Sequence, residues 1–322
     1  MKALRVRSNG ISVDEVVIPD GGSESLVRVV RSGICNTDLE IARGYAGFEG
    51  TIGHEFVGVV ESSPDRSDLI GKRVVGEINA GCGHCELCLA GDPRHCPDRT
   101  VMGIKGRDGA HAEFLTLPTR NLVLVPEGVS DNDAVFVEPL AAAFGITEQV
   151  SLTPETHVAV IGDGKLGLLC AFSLALKTKN ITLIGKHPEK LALAASNGRD
   201  IETRELSQIA KLGSRFDVVV EASGSESGFA TALDLVKPRG KIVLKSTFQR
   251  NPTWEAFRIV VDEITVVGSR CGRFDAALAL LDEKKVRVDD LISERFELGD
   301  GVEAMKAAAK NGSLKILLST ER

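Results

Sequence analysis

Four cysteines lie close together in one stretch of the chain, at Cys82, Cys85, Cys88 and Cys96. They are separated by two, two and seven residues. This spacing lets a single loop place four sulfur atoms in a tetrahedron around a zinc ion, at about 2.3 Å from the metal. Because four thiolates leave the ion no open position, we expect the zinc to hold the loop together and the chemistry to take place elsewhere.

Disulfide bonds are the alternative for these cysteines. The sequence starts with a strand-like segment, Met1-Lys-Ala-Leu-Arg-Val6, and shows no apolar core of a secretory signal, so an oxidising compartment is not expected. We therefore favour zinc and a cytoplasmic location. Two histidines in the same run, His84 and His95, are interpreted as neighbours of the metal and not as its ligands.

The composition excludes several classes of protein. Of the 322 residues, 43% are hydrophobic and 26% are charged, as in an ordinary globular protein large enough for two domains. No uninterrupted apolar stretch is long enough for a membrane span. The formal net charge of -6 argues against binding to nucleic acid, which relies on a positive surface.

The first 130 or so residues contain short strand-like segments separated by Gly, Pro, Asp and Ser. This pattern predicts an antiparallel, barrel-like domain with functional loops. The segments are Leu26–Val30, Phe56–Val60, Arg73–Val75 and Phe114–Leu117.

After a helical stretch from Asp131 to Val150, strands alternate with helices. This alternation predicts a parallel, doubly wound sheet covered by helices. The predicted strands are His157–Ile161, Ile181–Ile184, Asp217–Val220, Lys241–Leu244 and Ile264–Val267, with helices from Lys165 and over Glu189–Ala195. The tail ends in a strand, Leu314–Leu318, and is too short for a domain, so we expect it to return to the first one. The expected domains are 1–143, 144–270 and, as the return, 271–322.

A glycine-rich turn follows the first strand of the parallel sheet. The run is Gly162-Asp163-Gly164-Lys165-Leu166-Gly167, and an apolar helix begins within it. Between a strand and a helix, this G-x-G-x-x-G pattern is typical of dinucleotide binding, with the pyrophosphate at the helix N-terminus. The alternative is a glycine-rich turn that binds no ligand.

Cys35 and His54 are candidates for a second, reactive metal site. They lie nineteen residues apart on two loops of the first domain and could give zinc two ligands, with a third from elsewhere and the fourth position open. By themselves they prove little, since a single His beside a single Cys is more often packing than coordination.

Several motifs in order resemble those of the zinc-dependent medium-chain dehydrogenases/reductases, over nearly the whole chain. They are Gly33–Asp38, Gly53–Gly58, the four-cysteine run, Asp108–Phe114, Val137–Leu140 and Gly162–Gly167. The resemblance, to the alcohol, polyol and threonine dehydrogenases, implies an α/β protein with a GroES-like catalytic domain and a Rossmann domain. It also implies an alcohol or carbonyl substrate and a homodimer or homotetramer joined through the cofactor domain.

The resemblance also implies roles for individual residues. Cys35, His54 and Glu138 match the ligands of a catalytic zinc, Glu138 as in the polyol branch, so that the chain would bind two zinc ions. Glu55 matches a residue that lies beside the metal and ligates it in some states. Thr37 matches a hydroxyl that passes the substrate proton, and Asp38 a carboxylate that orients the zinc-bound histidine.

Three positions leave alternatives open. Glu40 stands where a relay histidine is common, which leaves the outward proton path undefined. Arg270 matches an arginine near substrate and cofactor phosphate, or is a surface residue. Glu113 contacts a polar substrate or forms a salt bridge at the end of a strand. The substrate pocket is expected to include Tyr45, Phe48, Met102, Ile104 and Phe248.

The end of the second parallel strand indicates the choice of cofactor. NAD enzymes typically place an acid there to bind the ribose 2′-hydroxyl, whereas this chain has Gly185-Lys186-His187. Gly185 removes a repelling side chain, and Lys186 and His187 could bind a 2′-phosphate. The sequence therefore predicts NADP as cofactor, with NAD binding as the alternative if the loop is only surface.

Together these interpretations predict a zinc-dependent oxidoreductase that transfers a hydride between an alcohol, polyol or amino-alcohol and NADP(H). One rival is a zinc-free quinone or enoyl reductase of the same superfamily. The other is a non-enzymatic zinc protein that binds nucleotide or, less consistently with the acidic charge, nucleic acid.

Overall fold

The computed structural model describes residues 1–247 and 255–320. Contacts within the chain divide it into two compact units, Met1–Glu138 with Leu291–Arg322, and Pro139–Asp290. Residues 271–290 group with the second unit in this division. The sequence-based domains 1–143, 144–270 and 271–322 stay a prediction.

The regular structure comprises strands, α-helices and short 3₁₀ helices. In chain order the strands are β1 (Lys2–Arg7), β2 (Gly10–Glu15), β3 (Ser25–Ile34), β4 (Gly50–Thr51), β5 (Glu55–Ser62), β6 (Arg73–Gly76), β7 (Asn79–Ala80), β8 (Thr100–Val101), β9 (Phe114–Leu117), β10 (Leu122–Leu124), β11 (His157–Ile161), β12 (Asn180–Gly185), β13 (Ile201–Glu205), β14 (Phe216–Glu221), β15 (Val236–Leu244), β16 (Thr265–Gly268), β17 (Ile292–Glu297) and β18 (Lys315–Ser319). The helices are α1 (Asn36–Ala42), α2 (Glu86–Leu89), α3 (Asp131–Ala134), α4 (Val137–Phe144), α5 (Ile146–Gln149), α6 (Lys165–Leu174), α7 (Pro188–Leu191), α8 (Ser227–Leu235), α9 (Ala256–Val261), α10 (Phe274–Asp282) and α11 (Gly301–Ala308). The 3₁₀ helices are Tyr45–Gly47, Ser67–Leu69, Pro93–His95, Thr119–Asn121, Ala192–Asn197, Leu206–Lys211, Asp289–Leu291 and Leu298–Asp300.

The first unit is built on a mainly antiparallel sheet. Its strand order is β10-β6-β5-β3-β18-β17, and β9 also pairs with β3. A three-stranded sheet, β2-β1-β4, and a two-stranded sheet, β7-β8, accompany it. Strand β18 lies antiparallel to β3, with Ile316 opposite Ile34, so the last strand of the chain lies beside one of the first. This arrangement confirms the predicted β-rich, antiparallel region.

Apolar side chains from distant parts of the sequence form the core of the first unit. Leu4, Ile34, Ile41 and Ile316 are fully buried in it, and Met305 of α11 packs with them. These residues come from β1, β3, α1 and β18. Burial of a side chain of this size contributes about 1.5–3 kcal/mol, so the core stabilises the loops that carry the candidate metal ligands.

The second unit contains a six-stranded parallel sheet with the order β13-β12-β11-β14-β15-β16. Counted from the first strand of the unit, this is the order 3-2-1-4-5-6 of the doubly wound dinucleotide-binding fold. The interior of β11 is almost continuously apolar and buried, which is typical of a parallel strand covered on both faces. The predicted doubly wound sheet is therefore confirmed.

Glycines set the turn between β11 and α6. Gly162 has a backbone φ of +119°, a conformation that residues other than glycine rarely adopt. A Cβ added at Gly167 would lie 1.9 Å from the carbonyl oxygen of Gly162, so the helix packs directly on the turn. At Gly164 an added Cβ would meet nothing within 4 Å, so packing within the protein does not require glycine there.

Helical segments differ most from the sequence-based expectations. The stretch from Asp131 to Val150 forms three short helices, α3, α4 and α5. The helix predicted over Glu189–Ala195 is present as two consecutive segments, α7, which ends at Leu191, and a 3₁₀ helix over Ala192–Asn197. Within the described ranges, no helix has both the length and the apolar character needed to cross a membrane.

Candidate functional site

The four-cysteine run folds into a compact loop. The sulfur atoms of Cys82, Cys85, Cys88 and Cys96 all lie within 4.8 Å of one another, and those of Cys85 and Cys96 are 3.7 Å apart. An added Cβ at Gly81 would lie 2.7 Å from Cys88 Sγ, so this glycine makes room for the cluster. The arrangement fits a closed tetrahedral zinc site.

Backbone amides favour the thiolate form of Cys82, the first cysteine of this loop. The N–H groups of His84 and Cys85 lower the pKa of the Cys82 thiol to about 6. The histidines of the run lie at the surface: His84 Nδ1 is 3.2 Å from the carbonyl oxygen of Cys82, and His95 Nδ1 is 2.8 Å from Asp92 Oδ2. The cluster of possible ligands contains neither histidine.

A second cluster joins Cys35, His54 and Glu55, whose ligand atoms lie within 4.8 Å of one another. Cys35 follows β3 as the N-cap of α1, and His54 comes just before β5, which Glu55 begins. His54 and Glu55 are buried, while Cys35 is half-buried. A thiol, an imidazole and a carboxylate with partial access to solvent form a donor set that suits zinc.

Asp38 lies at the centre of this site and is fully buried. It accepts hydrogen bonds from the backbone N–H groups of Cys35 at 2.8 Å and Gly53 at 3.1 Å. Its carboxylate oxygens also lie 3.5 Å from His54 Nδ1 and 3.5 Å from His111 Nε2. Asp38 therefore links the loop that carries the thiol to the loop that carries the imidazole.

Asp38 and its histidine neighbour His54 stabilise each other's charged forms. Burial alone would raise the pKa of Asp38. The pKa nevertheless lies well below its usual range, because His54 and His111 face the carboxylate. Burial alone would also lower the pKa of His54, but the neighbouring Asp38 raises it well above its usual range. A carboxylate beside an imidazole also fixes the orientation of a metal-binding histidine.

Glu55 forms a fully buried ion pair with Lys315, the first residue of β18. The Lys315 ammonium also lies 5.4 Å from the centre of the Phe136 ring. An added Cβ at Gly33 would lie 2.7 Å from Glu55 Oε2, so this glycine leaves room for the pair. Among the described residues, Glu55 Oε1 has no hydrogen-bond partner. One oxygen of Glu55 is thus neutralised by lysine and the other is available.

Glu138 lies in the first turn of α4 and is half-buried. Its carboxylate is not among the ligand atoms that cluster within 4.8 Å. Burial raises the pKa of Glu138 to about 7, although His54 opposes the rise. The carboxylates of Glu55 and Glu77 raise it as well. The site thus has more negative charge than its own cations balance, which suits a divalent metal.

The remaining polar residues of this unit have clear positions. Thr37 Oγ1 lies 3.7 Å from Cys35 Sγ, next to the candidate metal ligand. Glu40 binds the exposed Arg43 at 2.7 Å. Glu113 accepts the backbone N–H of Lys2 at 2.8 Å, which is a structural contact. Among the described residues, no ion pair of Glu113 is seen, and its contact with a polar substrate stays a prediction.

The expected pocket residues are partly core residues. Tyr45, Phe48 and Ile104 pack against the core of the first unit, and Met102 is fully buried. Phe248 lies outside the described residues. The assignment of these side chains to a substrate pocket stays a prediction.

The loop after β12 is held by the glycine turn. Asp163, between Gly162 and Gly164, accepts the backbone N–H groups of Lys186 at 2.6 Å and His187 at 2.7 Å. Lys186 is exposed, and His187 is partly exposed. Arg270, just beyond β16, is also exposed. Lys165 and Leu166 are half-buried in the first turn of α6.

Sequence reasoning missed three residues of these sites. They are His111, which faces Asp38, Lys315, which neutralises Glu55, and Asp163, whose carboxylate reaches the end of β12. A lysine in the otherwise apolar strand Leu314–Leu318 was a signal for Lys315. For His111 no signal existed, because its partner Ser32, at 2.8 Å, lies 79 residues away.

We expect Cys88→Ala to remove one zinc ion per chain and to lower the free energy of unfolding by more than about 4 kcal/mol, because the loop loses its metal. Metal analysis and chemical denaturation measure the two effects. Cys170→Ala is the control, since Cys170 is a buried thiol outside the loop and should leave the zinc content unchanged. An equally stable Cys88→Ala protein with full zinc would contradict the assignment.

We expect His111→Phe to lower the free energy of unfolding by about 1–3 kcal/mol, because it leaves the buried hydroxyl of Ser32 without its hydrogen-bond partner and removes one of the two imidazoles that face Asp38. Urea denaturation measures the change. The double variant Ser32→Ala/His111→Phe should recover part of the loss, since it removes the unpaired hydroxyl. Equal stability of His111→Phe and the wild type would show that the ring makes no such contribution.

Two family models match the chain. The alcohol dehydrogenase GroES-like domain matches residues 21–127, and the zinc-binding dehydrogenase model matches residues 166–283. The first match covers both clusters of candidate metal ligands but does not reach Glu138. The second match begins inside the glycine turn. The family models therefore divide between the β-rich unit and the parallel-sheet unit.

Curated relatives match from three quarters to nearly all of the chain. A sorbitol dehydrogenase of Halalkalibacterium halodurans is 28% identical over 99% of this chain and 99% of its own length. An L-threonine 3-dehydrogenase of Chelativorans sp. is 32% identical over 76% of each chain.

Solved structures agree with these matches. An alcohol dehydrogenase, RspB, from E. coli CFT073 in complex with NADH superimposes with a TM-score of 0.91, at 28% identity over 99% of both chains. A zinc-binding dehydrogenase from Sinorhizobium meliloti bound to NADP gives a TM-score of 0.89, at 28% identity over 99% of this chain and 98% of the other. The fold, the family models and the named relatives agree, and the chain belongs to the zinc-dependent medium-chain dehydrogenases, as an NAD(P)-dependent enzyme of the alcohol dehydrogenase type.

Proposed function

We propose that this enzyme binds a catalytic zinc ion through Cys35, His54 and Glu138 and oxidises a polyol or amino-alcohol with NADP⁺, or reduces the corresponding carbonyl with NADPH. The main observation behind the proposal is the cluster of a thiol, an imidazole and the Glu55 carboxylate beside Asp38, with Glu138 near enough to interact electrostatically with His54 and Glu55. Relatives named for sorbitol and threonine support a substrate with more than one polar group.

Charge favours Glu138 over Glu55 as the third ligand. Lys315 already neutralises Glu55 in a fully buried pair, so that carboxylate brings no net negative charge to a metal. The raised pKa of Glu138 means that its charged form is costly until a cation balances it. A zinc ion bound by Cys35, His54 and Glu138 would be balanced by one thiolate and one carboxylate. Glu55 then lies beside the metal as a reserve ligand.

Asp38 and Thr37 have different roles in the proposed reaction. When bound, zinc supplies Lewis-acid polarisation of the alcohol or carbonyl oxygen, and the nicotinamide supplies the hydride carrier. Asp38 fixes the ring of His54, because it faces Nδ1 at 3.5 Å and is itself held by two backbone N–H groups. The Thr37 hydroxyl, beside Cys35, relays the proton that the alcohol loses on oxidation, because it can accept that proton while it passes its own hydrogen on towards solvent, and the reverse relay serves reduction.

The rival function is that of a zinc-free quinone or enoyl reductase of the same superfamily. Metal analysis separates the two. About two zinc ions per chain are expected if both clusters bind metal, whereas the rival predicts no zinc at the Cys35 site. The four-cysteine loop, with its thiols held by zinc and not by disulfides, also supports a reducing compartment such as the cytoplasm.

A homo-oligomer is part of the proposal. Helix α9 exposes Phe257, Val260 and Val261, of which 67%, 75% and 74% are accessible. The neighbouring strand β16 is the edge of the parallel sheet. An exposed apolar helix beside an open sheet edge supports association through the second unit.

We expect Glu138→Gln to lower kcat/KM by at least about 100-fold, because the amide removes a charged ligand from the catalytic zinc. Zinc content should fall from about two ions per chain towards one, with the four-cysteine site retained. Activity assays and metal analysis of the same preparation measure both effects.

Glu127→Gln is the matched control, since Glu127 is a carboxylate of the same unit outside the metal clusters. Near-normal turnover of Glu138→Gln with two zinc ions would remove Glu138 from the ligand set. In that case Glu55, already within 4.8 Å of Cys35 and His54, would become the third ligand.

The proposed preference for NADP rests on the loop after β12. Gly185 presents no side chain at the end of the strand, and Lys186 and His187 follow as cation and possible donor. Both positions have access to solvent, so a 2′-phosphate could reach them. The two solved neighbours were crystallised one with NADH and one with NADP, so they favour neither cofactor.

We expect Lys186→Ala to weaken the binding of NADPH by about tenfold and that of NADH by less than about twofold, because only the 2′-phosphate forms a charge-assisted contact with the lysine. Quenching of protein fluorescence or calorimetry measures both affinities. Lys179→Ala is the control, since Lys179 is exposed at the other end of β12. A wild-type enzyme with the higher kcat/KM for NAD(H) would contradict the preference.

A further inference from the structure

A carboxylate does lie at the end of β12, although the sequence places no acid there. Asp163, the second residue of the glycine turn, directs its side chain onto Gly185. An added Cβ at Gly185 would lie 2.4 Å from Asp163 Oδ2 and 2.5 Å from Asp163 Cβ. The space in which a strand-end acid would begin is therefore already filled by an acid from the turn that follows the neighbouring strand β11.

The two oxygens of Asp163 have different surroundings. Oδ2 accepts the backbone N–H groups of Lys186 and His187, and it also lies 3.0 Å from His187 Nδ1. Oδ1 has a single contact among the described residues, to the same ring nitrogen at 3.2 Å. Since a carboxylate oxygen accepts about two hydrogen bonds, Oδ2 is saturated and Oδ1 keeps acceptor capacity.

Asp163 lies where the free acceptor capacity of its Oδ1 could serve a bound cofactor. Asp163 lies between Gly162 and Gly164, in the turn expected to bind the pyrophosphate, and 11% of its side chain remains accessible. In dinucleotide-binding folds, the acid at the end of the second strand accepts a hydrogen bond from the ribose 2′-hydroxyl. Asp163 brings a carboxylate to that strand end from the first strand.

We propose that Asp163 is the specificity-determining acid of the cofactor site, in place of the missing acid at position 185. Its Oδ1 accepts the 2′-hydroxyl of an unphosphorylated ribose, and its charge opposes a 2′-phosphate. Lys186 and His187 act in the opposite direction, so the cofactor preference is the balance of one acid against two basic groups. The inference rests on the proposed binding of the cofactor at this turn, but not on which cofactor the wild type prefers.

The decisive variant is Asp163→Asn. Its amide oxygen can keep the two backbone hydrogen bonds that Oδ2 accepts, while its NH₂ group places a donor where Oδ1 was an acceptor. The probes are ADP-ribose and 2′-phospho-ADP-ribose, which differ only in the 2′-phosphate and lack the nicotinamide. Titration calorimetry then measures binding without turnover.

Two further variants serve as a charge control and as an exchange of the acid between positions 163 and 185. Asp217→Asn removes one negative charge from the same unit, near the start of β14, and serves as the charge control. Asp163→Gly/Gly185→Asp moves the acid to the strand end. The exchange removes the atoms of Asp163 that an added Cβ at position 185 would meet, and Gly185 has no positive φ that would strain aspartate.

We expect Asp163→Asn to raise the affinity for 2′-phospho-ADP-ribose relative to ADP-ribose by about tenfold or more. Asp217→Asn should leave this ratio within about twofold of the wild type, and the exchange variant should restore or exceed the wild-type preference for ADP-ribose. If Asp163→Asn does not fold, the exchange variant decides, since loss of discrimination there contradicts the proposal.

An unchanged ratio in folded Asp163→Asn, or equal weakening of both ligands, would show that Asp163 only supports the loop and would overturn the inference. The outcome is separate from the preference of the wild type. A wild type that favours NAD(H) contradicts the proposed NADP preference, yet Asp163→Asn would still shift the ratio towards the phosphorylated ligand if Asp163 is the discriminating acid.

Discussion

The candidate metal centre depends on the hydrogen bonds that the buried carboxylate of Asp38 accepts. The carboxylate accepts the N–H of Cys35 at the start of α1 and the N–H of Gly53 beside His54, so one side chain fixes two loops that are apart in sequence. A carboxylate buried without such partners would be strongly destabilising. With two amides and two imidazoles around it, Asp38 is instead a rigid support. Rigidity of this kind keeps metal ligands in place before the metal arrives.

Buried charges beside the candidate metal centre are arranged in compensated groups. Lys315 and Glu55 form one such group, enclosed by Gly33 and the ring of Phe136. The loss of either partner would leave an uncompensated charge, which is far more costly than the pair itself. Glu138 differs from these groups, because burial raises its pKa to about 7 even though the charges of His54 and Lys315 oppose the rise. That asymmetry is the physical reason for placing a metal there.

Local features of this fold could be predicted from the sequence, and distant partnerships could not. The four-cysteine loop and the glycine turn are each defined by residues within one short segment, so spacing alone was informative. The parallel strands were likewise predictable because their buried apolar runs are continuous. By contrast, Lys315 lies 260 residues from Glu55, and only the pairing of β18 with β3 brings them together. No role was predicted for Asp163, because nothing in the sequence tells which strand end its side chain reaches.

The pairing of β18 with β3 has a consequence for the order in which the protein is made. During synthesis the chain emerges from its N-terminus, and domains generally fold as units as they appear. Here the β-rich unit includes Leu291–Arg322, so it cannot finish while those residues are still on the ribosome. The parallel-sheet unit, Pro139–Asp290, is complete earlier. Until Lys315 arrives, Glu55 has no buried cation, and β3 has an open edge over Arg31–Ile34, the residues that pair with β18. A nascent chain stalled before this point would expose that edge, and would be a natural substrate for chaperones.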